Sequence, residues 1–214
     1  MDKKIPIVHP LIDEYMLALL PKRDGILREM ESYARRKKFP IIGPLAGRVL
    51  AQLAMIQKPK RIVELGSGFG YSAYWLAKAT PSTTKIFCSD GDENNYQKAS
   101  AYFKRAGMSR RIKYFVGDAL DFIDQFEDDS LEFILNDIDK EDYPAILAKA
   151  VRKLKKGGLL VTDNVLWSGR VLHRHPAERS SQAIKVFNRV LFTSKSFFST
   201  ILPVRDGIAV CVKR

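Results

Sequence analysis

The sequence predicts an α/β fold: a doubly wound, mostly parallel sheet closed by an antiparallel hairpin and preceded by helices. Three observations carry this. From residue 60 onward, strand-like and helix-like segments alternate, the pattern of a parallel sheet with helices on both faces. A glycine-rich turn, Glu64-Leu65-Gly66-Ser67-Gly68-Phe69-Gly70, follows the first strand-like run. Only Arg205-Asp206-Gly207 separates the last two strand-like runs, and so short a link makes a hairpin, not a parallel crossover.

The elements follow in order. Residues 10–20, 25–37 and 45–57 read as helices, expected to cap a cofactor or to build a dimer face. Residues 61–65 are the first strand, and 72–79 have the apolar spacing of a helix. Strand 85–89, helix 93–106 (closed by Gly107), strand 112–116 and short helix 119–126 continue the rhythm. Strand 131–135 precedes helix 143–154, for which Gly157-Gly158 is the expected C-terminal stop before strand 159–162. Runs 197–204 and 208–213 form the hairpin. The hairpin points to the methyltransferase variant of the doubly wound fold and against an all-parallel dehydrogenase. No linker or repeat divides the chain, so one domain is expected over 1–214, with a helical cap (1–57) and an α/β core (58–214).

Composition narrows the class. An apolar fraction of 46% with 28% charged residues is that of a water-soluble globular chain. No apolar stretch is long enough to span a bilayer and none resembles a leader, so a cytoplasmic protein without membrane contact is expected. Cys88 and Cys211 fall in strand-like runs and read as buried free thiols. The net charge of +12 is uneven: residues 1–61 hold 13 Lys+Arg against 6 Asp+Glu. Solvated helix ends account for such clusters; an anionic partner such as RNA is the alternative reading.

The glycine turn has the context of a nucleotide site, after a strand and before a helix. Its spacing is G-x-G-x-G through Gly66, Gly68 and Gly70. Tyr71 occupies the place of the third glycine of a dinucleotide fingerprint, which disfavours NAD. S-Adenosylmethionine has no pyrophosphate and asks only that the turn admit its amino-acid end. Asp90, ending the second strand, can accept from both ribose hydroxyls. Asp118-Ala119, after the third, can border an adenine.

Two acidic clusters end the next two strands: Asn136-Asp137-Ile138-Asp139-Lys140 and Asp163-Asn164. Ligands of an open α/β sheet gather at the carboxyl ends of its strands. Asp137, Asp163 and Asn164 form a hard oxygen set suited to Mg²⁺, Mn²⁺ or Ca²⁺. Lys140 is placed to accept a proton or to steady an oxyanion. Asp139 is expected to cap the helix near Tyr143, and Tyr143 and Trp167 are candidate pocket walls. His173-Arg174-His175 reads as a solvated loop.

Together these residues resemble the cation-dependent class I O-methyltransferases, the caffeoyl-CoA and catechol O-methyltransferase group. The resemblance runs from about Phe39 to the C-terminus and is strongest at 63–72, 137–143, 157–171 and 202–210. It implies a seven-stranded Rossmann-like methyltransferase sheet and a homodimer. It also implies metal ligation by Asp137, Asp163 and Asn164, and deprotonation assisted by Lys140 with Asp137. Glu64, Gly66, Gly68, Ser72, Asp90, Asp118 and Asp137 would line the S-adenosylmethionine site. Asn136 departs from the family, which is usually apolar there, and Arg205 replaces a common glycine before Asp206-Gly207. The expected activity is metal-assisted methyl transfer to a hydroxyl of a catechol-like small aromatic. A branch of the family that methylates 5-hydroxyuridine in tRNA supplies the alternative acceptor.

Overall fold

The strands are β1 (Arg61–Leu65), β2 (Lys85–Asp90), β3 (Ile112–Val116), β4 (Leu131–Asn136), β5 (Leu154–Thr162), β6 (Phe197–Leu202) and β7 (Ile208–Lys213). In the computed structural model, which describes residues 5–214, they join in one seven-stranded sheet ordered β3-β2-β1-β4-β5-β7-β6. Strands β1 to β5 pair in parallel, while β7 runs antiparallel to both β5 and β6. The expected hairpin is present.

The helices are α1 (Pro10–Ala18), α2 (Gly25–Lys37), α3 (Gly43–Gln57), α4 (Tyr71–Ala79), α5 (Glu93–Arg105), α6 (Ala119–Asp124), α7 (Tyr143–Lys153) and α8 (Arg179–Thr193). Local chemistry explains several boundaries. Asp24 caps α2 by accepting from the Leu27 N–H at 2.9 Å, and Arg35, Arg36 and Lys37 crowd its last turn, where cations suit the helix dipole. Asp92 caps α5 in the same way.

Alternation along the strands splits the core in two. Ile62, Phe133, Leu135 and Val161 face a cluster built with α2 to α5. Val63, Leu65, Ile134 and Leu160 face the other, built with α6, α7 and α8. This is the period-two signature of a sheet covered on both sides. Each fully buried aliphatic side chain contributes roughly 1.5–3 kcal/mol. Helix α1 stands apart: it buries no residue and leaves Leu11, Tyr15 and Leu17 exposed. Among the described residues no helix is long and apolar enough to cross a membrane. Cys88 and Cys211 are free and buried, as expected.

Three expectations need correction. Helix α7 ends at Lys153, and Leu154 is already extended and paired with Leu131. Gly157, at φ +79°, therefore sits inside a register shift of β5 and does not stop a helix. Asp139 makes no side-chain cap; it precedes a short 3₁₀ turn, Lys140–Asp142. Helix α8 is absent from the sequence prediction, although it buries Ile184, Phe187 and Leu191.

Candidate active site

Register brings the site together. Leu65 pairs with Asn136, and Asn136 with Thr162, so the residues that follow, Gly66, Asp137 and Asp163, leave the sheet side by side. Backbone bonds continue the alignment past the strand ends: Asp137 N–H donates to the Leu65 carbonyl at 2.9 Å and Asp163 N–H to the Asn136 carbonyl at 3.1 Å. Gly66 has φ +80°, and a Cβ there would collide with the Asp137 carbonyl. Glycine is required where two backbones approach this closely. The glycine turn and the acid loop are thus in direct contact.

Above them lies a cavity of about 1030 Å³. Gly66, Gly68, Ser72, Asp90, Asp118 and Ala119 line one end, and Asp137, Lys140, Asn164, Trp167, Arg205 and Asp206 the other. Residues Phe39 to Ile42, between α2 and α3, form a further wall.

At the first end the carboxylates are engaged with backbone. Asp90 accepts from Gly68 N–H at 2.9 Å and from Asp92 N–H at 3.0 Å. Asp118 caps α6, accepting from Leu120 N–H at 2.7 Å and Asp121 N–H at 3.0 Å. Two expected cofactor contacts, Glu64 and Gly70, lie outside the lining, as does the expected metal ligand Asp163. Glu64 is fully buried beneath the turn, where it accepts from the Ser67 hydroxyl at 2.9 Å and from the Ser72 hydroxyl. Burial pushes its carboxyl up to about 7, against the pull of those hydroxyls. Gly70 faces the Phe103 ring and heads α4; it shapes the turn from behind.

At the other end the groups are charged and crowded. Lys140 Nζ donates to Asp137 Oδ1 at 2.8 Å and to the Ile138 carbonyl at 3.0 Å. Arg205 Nη1 donates to Asp163 Oδ2 at 3.1 Å. Asn164 Nδ2 donates to Asp206 Oδ2 at 3.4 Å. Burial raises the Asp137 carboxyl, with Lys140 opposing. Burial and then the charge of Asp137 push Asp163 up to about 7, so the two carboxylates feel one another. Asn164, Trp167, Ser168 and Arg205 all have positive φ, an uncommon conformation for residues with a Cβ. Trp167 lines the cavity as expected, but Tyr143 does not. Tyr143 is buried and donates its hydroxyl to the Asp163 carbonyl at 2.9 Å.

The residues fit a divalent cation. Asp163 is 3% exposed, and its Oδ1 is buried without a hydrogen-bond partner, an arrangement that costs free energy unless something positive completes it. Among the described residues no three His, Cys, Asp or Glu side chains gather as a metal set. A cation held by the Asp137 and Asp163 carboxylates would therefore need a donor of another kind, such as the Asn164 amide oxygen. Sequence reasoning passed over Asp206 and the 39–42 wall as site-forming. Asp206 was visible only as part of Arg205-Asp206-Gly207; the wall carries no motif.

A doubly wound sheet with a glycine turn and acidic strand ends around one cavity is the architecture of an enzyme that binds a nucleoside-bearing cofactor at its sheet edge. Residues 22–214 match the O-methyltransferase family. A catechol O-methyltransferase of Niastella koreensis is 29% identical over 94% of this chain and 96% of its own. The caffeoyl-CoA O-methyltransferase of Stellaria longipes is 28% identical over 94% of this chain and 89% of its own. An O-methyltransferase structure from Bacillus cereus in complex with SAH superposes with a TM-score of 0.86 at 26% identity, covering 95% of this chain and 97% of that one. The chain belongs to the O-methyltransferase family, and it is an S-adenosylmethionine-dependent O-methyltransferase.

Proposed function

We propose that this enzyme methylates a hydroxyl of a catechol-like small aromatic with the help of a divalent cation held by Asp137, Asp163 and Asn164. The observation that carries the reading is the alignment of Gly66, Asp137 and Asp163 at one sheet edge, with a partnerless Asp163 oxygen. The named relatives from Niastella and Stellaria, a catechol and a caffeoyl-CoA O-methyltransferase, support the acceptor class. Nothing in them supports the hydroxylated tRNA uridine.

In this reading Gly66, Gly68, Ser72, Asp90, Asp118 and Ala119 hold the methyl donor, with Asp137 bordering both ligands. Glu64 acts from below by fixing the Ser67 and Ser72 hydroxyls. A bound cation supplies positive charge that stabilises the acceptor as its oxyanion. Lys140 faces the same place. Its bonds to Asp137 and to the Ile138 carbonyl hold the amine at the acid loop, where it can take the acceptor's proton or steady the oxyanion. Trp167 lines the same end of the cavity, with Lys140 and Arg170 over its ring. To the extent that the wall 39–42 keeps water from bound ligands, it strengthens the charge interactions inside.

A methyl-transfer assay on a catechol panel and on bulk tRNA, with Mg²⁺ and with excess EDTA, tests this. Transfer to catechols that EDTA abolishes and Mg²⁺ restores is the expected result. Full activity in EDTA, or transfer to tRNA alone, overturns it.

A further inference from the structure

Each residue of the proposed metal set has a protein partner, and two of the three partners come from the loop between β6 and β7. Lys140 reaches Asp137 from within the same loop, and Asp206 steadies the Asn164 amide. Arg205 comes from another loop, between β6 and β7, and lays its guanidinium on Asp163 Oδ2 at 3.1 Å. That loop is fastened to the loop after β5, which carries Asp163 and Asn164, by two backbone bonds: Val165 N–H to the Gly207 carbonyl at 3.1 Å and Leu166 N–H to the Asp206 carbonyl at 2.9 Å. Arg205 itself sits at φ 54°, a backbone state that glycine adopts freely and arginine does not. Its side chain is 35% exposed against 4% for that of Asp163. The guanidinium can therefore withdraw toward water, whereas the carboxylate cannot.

We infer that Arg205 is a displaceable counter-ion of the metal site, holding Asp163 when no cation is bound and setting how tightly a divalent cation binds. The inference rests on the metal site proposed above. Two positive groups contend for one buried carboxylate, and in a partly desolvated site their repulsion is strong. Without a counter-charge, a pair of buried carboxylates would be costly to leave empty. With Arg205 in place, the empty site is held together and the cation must compete for it. Arg205 is thus a positioning residue that acts through Asp163. The strained backbone is a second sign that this side chain is retained for its charge: glycine would serve the turn better.

The test is Mn²⁺ binding to the full-length protein without acceptor, read as free Mn²⁺ by electron paramagnetic resonance. The variants are R205G, R205M and R205K, each checked for folding by thermal melting. R205G relieves the backbone, R205M keeps the length without the charge, and R205K restores a charge. The expected result is at least tenfold tighter Mn²⁺ binding in R205G and R205M, with R205K close to wild type. A purely structural role would not tighten binding. Equal affinities in all four proteins, or weaker binding in the neutral variants, overturn the counter-ion while leaving the metal site standing. If none of the four binds Mn²⁺, both the inference and the metal site fall.

Discussion

The two ends of the cavity are built on opposite principles. At the end proposed for the methyl donor, Asp90 and Asp118 accept from backbone N–H groups of the turns and helix they organise. At the end proposed for the acceptor, Asp137 and Asp163 are raised by burial, face cationic side chains, and leave one oxygen without a partner. Positive-φ residues with side chains gather beside them. A region satisfied by its own main chain is prepared to bind. One that holds unbalanced charge and backbone strain is prepared to react, and such departures from local consistency collect at functional sites.

Three changes probe the contrast, from the largest effect to the smallest. Asp163→Asn removes a charge from the acceptor end alone. It should lower kcat by about a thousandfold, while affinity for S-adenosylhomocysteine, measured by calorimetry, stays within about threefold. Comparable losses in both would erase the division between the ends.

Gly66→Ala attacks their junction, because the added methyl meets the Asp137 carbonyl in a left-handed turn. A stability loss of roughly 3–5 kcal/mol is expected in urea unfolding, with donor and Mn²⁺ affinities falling together. A variant as stable as wild type would show that the two loops can part.

Glu64→Gln sharpens the donor side. The Glu64 carboxyl is raised from 4.5 to about 7, so the folded state holds its proton more tightly than the unfolded chain. Its contribution is complete below pH about 4.5 and is lost as pH rises through about 7. Wild type should therefore lose up to about 3 kcal/mol from this group between those values. Urea unfolding at several pH values should show that part of the slope vanish in Glu64→Gln. An unchanged slope would mean that the Ser67 and Ser72 hydroxyls hold the carboxylate charged.

The donor end was also the more legible in sequence. Gly66, Gly68, Asp90 and Asp118 each sit at a strand end, so a correct strand assignment was enough to place them. Glu64 looked the same on paper, but the period of the strand turns its side chain under the sheet edge. The acceptor end depends on distant parts meeting. Arg205 reaches Asp163 across 42 residues of chain, and no local pattern announces that encounter. Its replacement of glycine was noticed, but its partner could not be read. Helix α8 went unseen because a polar stretch, 173–178, precedes it; the spacing of Ile184, Phe187 and Leu191 was the available signal. The Gly157-Gly158 pair misled for a related reason. Glycine marks a helix stop and a strand irregularity alike, and only the pairing of Leu154 with Leu131 decides between them.

The lack of room for a single carbon between Gly66 and Asp137 has a consequence for how the two ends communicate. Where main chain lies directly on main chain, a displacement of one segment is passed to the other without a side chain to absorb it.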